Sequence, residues 1–247
     1  MKKSFLTLIL CLASICSWAD DSGYCGLDLS WYYEEATQTL TISGTGEMYN
    51  FTNIRYAPWG DKGYYENIET VIIESGVTTI GKSAFDGFPK LTSVTIANSV
   101  TSIGEYAFRN CTKLTSVEFP EGMTSIGVSA FYGCSGLKAI TIPSSVTEIG
   151  YSAFYNSDNL LEVTSRIENP ISIFFNSFSD NTFNNGVLYV PVTSIEKYKD
   201  AENWKKFNTI EKIKEQQPYL QGDMNGDGVL SVTDVGILIT KILSGEQ

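Results

Sequence analysis

The sequence contains no histidine. That absence removes Ser-His-Asp and Cys-His nucleophile systems, HExxH metalloprotease sites and His-ligated zinc together. An enzyme built on this chain would have to work with carboxylates, tyrosine, lysine or cysteine alone. Positive charge is also scarce. Lys and Arg number 17 against 28 Asp and Glu, a formal net charge of -11, which argues against nucleic acid as a partner. Long apolar runs are missing too: beyond residue 19 no segment is apolar enough to cross a bilayer, so the mature chain is expected to carry no transmembrane segment.

What remains is the composition of a folded protein, 43% hydrophobic, 18% charged and 13% aromatic. At 247 residues it has room for one or two domains and a substantial core. Residues 1–19 are expected to lie outside the fold. Lys2 and Lys3 precede an apolar run from Phe5 to Ile15, and Ser17-Trp18-Ala19 places small residues where a signal peptidase reads. This pattern predicts a secretory signal peptide and an exported, mature protein that is more acidic still. Leu10 and Ile15 are too bulky for Cys11 or Cys16 to complete a lipobox. Cys25, Cys111 and Cys134 then survive in a compartment that permits disulfides, and their odd number leaves at least one thiol without a partner in the same chain.

Cutting the chain at Leu91, Leu114, Leu137 and Leu160 exposes an internal repeat of 23 residues, and Ile68 extends it back by one unit. The blocks read IETVIIESGVTTIGKSAFDGFPK, LTSVTIANSVTSIGEYAFRNCTK, LTSVEFPEGMTSIGVSAFYGCSG and LKAITIPSSVTEIGYSAFYNSDN. A fixed period of this size predicts a solenoid in which each unit buries its apolar face against its neighbours. Val94 and Ile96, Val117 and Phe119, and Ile140 and Ile142 alternate with polar residues, as in strands with one buried face. Gly81, Gly104, Gly127 and Gly150 recur at one point of each unit, which calls either for positive φ or for a close approach of backbones. Ala-Phe pairs recur at Phe85, Phe108, Phe131 and Phe154; stacked about 4.8 Å apart, these rings would form a continuous spine. Cys111 and Cys134 share one position in successive units, a separation compatible with a disulfide or with two buried thiols.

The pattern LxxVxI…SVTxIGxxAFxxC resembles the BspA-type leucine-rich repeats of bacterial surface proteins. Cys25-Gly26, the run Leu40-Thr41-Ile42-Ser43-Gly44-Thr45-Gly46 and Pro58-Trp59 are similar to that family's N-terminal cap. Leu188-Tyr189-Val190-Pro191, Tyr198 and Trp204 are similar to its closing cap. The resemblance implies a mainly β, right-handed leucine-rich-repeat solenoid, with a cap at 20–67, repeats at 68–163 and a second cap at 164–213.

After Ile213 the polar stretch Lys214-Glu215-Gln216-Gln217-Pro218 opens a linker, 214–221. Residues 222–247 then place oxygen donors at alternate positions: Asp223, Asn225, Asp227, the Val229 carbonyl, Ser231 and Asp234, with Gly228 at the sharp turn. That is the twelve-residue spacing which wraps one Ca2+ ion. Val235, Leu238, Ile239 and Ile242 follow at helical spacing, so a small α calcium-loop module is expected. Aspartate in the twelfth position resembles dockerin type I repeats, modules that attach cargo to cohesin-bearing scaffolds of polysaccharide-degrading complexes. By that resemblance Val232 and Thr233 occupy cohesin-recognition positions. A full dockerin carries two such repeats, and this sequence holds one.

Glu105, Glu118, Glu121 and Glu148 show no recurring pairing of the kind a glycosidase needs, two carboxylates about 5–10 Å apart, and no glycine loop for phosphate is present. The residue after each Ala-Phe pair forms a ladder, Asp86, Arg109, Tyr132 and Tyr155, with Tyr106 and Tyr151 close by. Aligned tyrosines beside a charge suit sugar or protein contacts, although they also serve simply to cover a coil edge. The sequence thus predicts an exported, non-catalytic protein that binds protein or glycan at the cell surface. The alternative is an accessory component of a polysaccharide-degrading assembly, attached by dockerin–cohesin contact.

Overall fold

The computed structural model describes residues 21–213. In chain order its strands and α-helices are β1 (Asp21–Tyr24), β2 (Asp28–Glu34), β3 (Thr39–Glu47), α1 (Pro58–Asp61), β4 (Thr70–Ile73), β5 (Val77–Ile80), β6 (Ser93–Ile96), β7 (Ser102–Ile103), β8 (Ser125–Ile126), β9 (Ala139–Ile142), β10 (Glu148–Ile149), β11 (Glu162–Ser165), α2 (Asp180–Asn185), β12 (Val187–Val190), α3 (Ile195–Asp200) and β13 (Thr209–Lys212). The first three strands form an antiparallel meander. From β3 onward all pairing is parallel. The chain therefore coils, laying each repeat beside the last.

Each coil has three sides. The first carries β3, β4 and β6, then β9, β11, β12 and β13. The second carries the end of β3, then β5, β7, β8 and β10. The third is a run of turns centred on the Ala-Phe pair. Its N–H groups at Ser83, Phe85 and Gly87 donate to the carbonyls of Glu105, Ala107 and Arg109 at 2.9, 2.8 and 2.6 Å. The same three bonds recur from Tyr106, Phe108 and Asn110, and again from Ser129, Phe131 and Gly133.

The recurring glycines are explained by close approach. A Cβ on Gly104 would stand 2.7 Å from the Lys82 nitrogen; on Gly127, 2.6 Å from the Gly104 carbonyl carbon; on Gly150, 2.5 Å from the Val128 nitrogen. Those glycines stack on one another, and any side chain would force the coils apart. Positive φ falls two residues later, at Ser83, Tyr106, Ser129 and Ser152, and again at Gly87, Asn110, Gly133 and Asn156. Glycine and asparagine tolerate this region at low cost, whereas Tyr106 is a bulky residue held there by its surroundings.

The phenylalanine spine is longer than the four repeats predict. Trp59, Phe85, Phe108, Phe131, Phe154 and Phe178 stack in sequence with ring centroids 5.5, 5.1, 5.3, 5.5 and 5.4 Å apart and interplanar angles of 23° or less. Both ends are closed by indoles whose buried N–H groups are satisfied: Trp59 donates to the Ala84 carbonyl and Trp204, packed on Phe178, to the Ile171 carbonyl, each at 2.7 Å. Cys111 and Cys134 are free thiols, which settles the disulfide alternative. Their Sγ atoms donate to the Phe85 and Phe108 carbonyls at 3.1 Å, and Ser157 Oγ makes the equivalent bond to the Phe131 carbonyl at 2.8 Å. In these three coils a thiol or a hydroxyl serves, whereas in the first coil Phe88 holds the same position and packs edge-on against Phe85.

One expected strand is missing. Val117 and Phe119 are buried as their alternation predicts, but 116–119 makes only a single bridge, Ser116 to Ala139. Pro120 is the cause. In other coils the residue after the strand donates back one coil, Glu74 to the Ile42 carbonyl, Ala97 to Ile73 and Arg166 to Ile142 at 2.9–3.1 Å. Pro120 and Pro143 have no N–H to give, so this coil loses the closing bond on both sides.

Candidate binding surface on the third side

The outward residues of the third side form two columns. One runs Lys82, Glu105, Val128, Tyr151; the other is the ladder Asp86, Arg109, Tyr132, Tyr155. Backbone bonds between successive coils hold both in line, because every coil spends the same number of residues on this side. The structure thus brings all four ladder residues together, but gives them different roles.

At the N-terminal end the charges are satisfied by one another. Arg109 grips Asp86 through two bonds, Nε to Oδ1 at 2.9 Å and Nη2 to Oδ2 at 2.6 Å. Asp86 is only 6% exposed, and its hydrogen bonds push the guanidinium pKa up. Arg109 also lies 4.8 Å over the Tyr106 ring, and Lys82 lies 5.5 Å over the same ring while pairing with Glu105. Tyr106 is a junction between the columns, and it shares its positive φ with Ser83, Ser129 and Ser152 at the same point of the other coils.

Toward the C-terminal end the surface becomes aromatic. Tyr132 and Tyr155 are half-buried, with ring centroids 6.1 Å apart. Asn156 Nδ2 donates to the Tyr132 hydroxyl at 2.6 Å, leaving that hydroxyl its own proton to give. Beside them Tyr151, Phe174 and Phe175 form an exposed corner. Sequence reasoning missed this corner because the fifth coil is one residue longer: Phe154 pairs with Phe178 rather than at the 23-residue step. Ser177-Phe178, in place of Ala-Phe, is the signal that would have located it.

A separate groove of about 380 Å³ opens on the first side at the interrupted coil, floored by Val117, Phe119 and Ile140 and bordered by Glu118 and the Arg166–Glu121 ion pair. Among the described residues no group of three or more Cys, Asp or Glu is placed to hold a metal ion, and no helix is long and apolar enough to cross a membrane. The expected calcium ligands Asp223, Asn225, Asp227, Val229, Ser231 and Asp234, and the cohesin-recognition positions Val232 and Thr233, lie outside the described residues.

Comparison with known proteins yields one family and one shared fold. No curated protein matches the sequence. A leucine-rich repeat protein from Eubacterium ventriosum is 23% identical, with a TM-score of 0.50 over 78% of this chain and 68% of its own. The pneumococcal vaccine antigen PcpA is 18% identical, with a TM-score of 0.51 over 74% of this chain, which spans 46% of the antigen's length. These likenesses show a shared solenoid fold. Residues 63–188, half of the chain, match the BspA type leucine rich repeat region in six copies, two more than the four blocks read from the sequence. The extra copies agree with the stacking through β11 and β12 and with Phe178 as a further ring of the spine. The chain belongs to the BspA-type leucine-rich repeat family.

Proposed function

We propose that the protein is exported, stays at the cell surface, and binds protein or glycan ligands without catalysis. The observation that carries this reading is the third side: its charged end is internally neutralised, whereas its other end offers Tyr132, Tyr155 and the neighbouring corner as an aromatic surface. Half-buried tyrosine that keeps a hydroxyl donor suits both sugar and protein contacts. Family membership and the likeness to a pneumococcal antigen support surface location. In this reading 1–19 is a cleaved signal peptide, the β1–β3 meander and the α3 coil cap a right-handed solenoid, and 222–247 binds one Ca2+ ion through the six ligands named above. The test is a panel of glycans and surface proteins presented to the mature chain, with release of reducing sugars followed in parallel. Saturable binding without sugar release is expected; sugar release would overturn the non-catalytic reading.

The calcium-loop spacing, with Val232 and Thr233 in place, favours one further reading: an accessory component of a polysaccharide-degrading complex held by a cohesin. Pull-down with immobilised cohesins in calcium and in chelator tests it. Calcium-dependent capture is the expected result, and none in either condition removes the reading.

A further inference from the structure

The aromatic corner is a contact surface that the described residues cover only in part. Tyr151 is 44% exposed, Phe174 50% and Phe175 62%, with rings 5.8 and 6.1 Å apart at near right angles. Apolar patches rimmed by polar groups mark contact sites. The last described coil reaches the corner: Lys206 Nζ lies 5.6 Å over the Phe175 ring and donates to the Phe175 carbonyl at 2.9 Å.

The coil path points to the occupant. Strands β4, β6, β9 and β11 end at Ile73, Ile96, Ile142 and Ser165, and nine residues later the chain stands at this edge, at Lys82, Glu105, Tyr151 and Phe174. The described chain ends at Ile213, one residue past β13, which lies two strands beyond β11 in the first-side sheet. The coil after β12 departs from this count, since α3 intervenes, and reaches the corner through Lys206 instead. Residues 214–221, fully extended, span up to about 28 Å, several coil spacings.

Residues 222–247 also need a surface. Val235, Leu238, Ile239 and Ile242 recur at helical spacing, and so short a segment cannot bury such a stripe within itself. Four acidic residues, Asp223, Asp227, Asp234 and Glu246, against Lys241 leave the segment net negative with or without one bound Ca2+ ion, opposite in sign to Lys205 and Lys206 in the last coil. A second copy is a poorer occupant, because three rings offer far less than the roughly 800 Å² per partner of a stable interface. We propose that residues 222–247 dock on the Tyr151–Phe174–Phe175 corner of their own chain, laying the apolar stripe over the rings. This rests on reading 222–247 as a module, not on its binding calcium.

The test uses the full chain with the photo-crosslinker p-benzoylphenylalanine placed at Phe175, and separately at Phe174 so that one disturbed site does not decide the result. Irradiation is performed in calcium and in chelator, with crosslinked peptides mapped by mass spectrometry. An intramolecular link to 222–247 is expected, falling about tenfold in the Leu238→Asp/Ile239→Asp variant. Links to a second copy, or no links from a chain with an unchanged melting transition, overturn the proposal. Calorimetric calcium binding, measured separately, tells failure of the calcium reading from failure of the docking.

Discussion

Shortening a phenylalanine in the middle of a stacked column removes contacts on both faces at once. Phe131 is fully buried between Phe108 and Phe154, with Phe119 edge-on at 5.5 Å. No neighbour can close the hole without breaking its own stack. Phe131→Ala should therefore cost about 3–5 kcal/mol in denaturant unfolding, and a loss below about 1 kcal/mol would place the ring outside the core. The thiols make a different residue-scale prediction. Burial pushes Cys25 and Cys134 from 9.0 up to about 12, and Cys111 well above 9.0. Because the folded state holds these protons more tightly, their contribution to stability is complete below the unfolded thiol pKa. It is lost as pH rises from about 9 towards 12. Native protein near pH 8 should not react with a thiol reagent until unfolded. Cys111→Ser/Cys134→Ser, which keeps a donor as Ser157 does, should melt with a weaker alkaline dependence than wild type.

At the scale of elements, the first side of the solenoid is continuous except at 116–119, and its exchange behaviour should reveal the break. Amides of Glu118 and Phe119, beyond the single bridge at Ser116, should exchange with deuterium at least about tenfold faster than those of β6 and β9, because they donate no backbone bond to a neighbouring coil. Uniform protection across the three coils would contradict the assignment. The same coil shows what could be read from sequence and what could not. Alternation at Val117 and Phe119 gave the burial correctly, since burial follows from which face is apolar. It did not give the hydrogen bonding, which depends on Pro120 and Pro143 falling at the same place in adjacent coils. The ladder Asp86–Arg109–Tyr132–Tyr155 was legible because the repeat enforces its register. The mutual capture of Asp86 and Arg109 was not, because charge pairing between coils depends on side-chain reach. The Tyr151–Phe174–Phe175 corner stayed hidden because one extra residue breaks the period there.

At the scale of the molecule, a stack in which every coil completes the next one's core should unfold as one unit, while residues 222–247, joined through a polar linker, should not be required by it. Calorimetry should show one calcium ion binding to wild type and no heat in Asp223→Ala/Asp227→Ala, with the solenoid's melting transition unmoved. Absence of heat in both would remove the calcium assignment. In the proposed function the third side binds ligand through its aromatic end. The most direct measurement is the dissociation constant of a ligand found in the glycan and protein panel, for wild type and for Tyr132→Ala/Tyr155→Ala. Both proteins must first be shown to be folded alike by their melting transitions. Affinity is predicted to fall by about 1–2 kcal/mol or more, roughly five- to thirtyfold. Equal affinity in the two proteins would contradict the account and leave the tyrosines as surface cover alone.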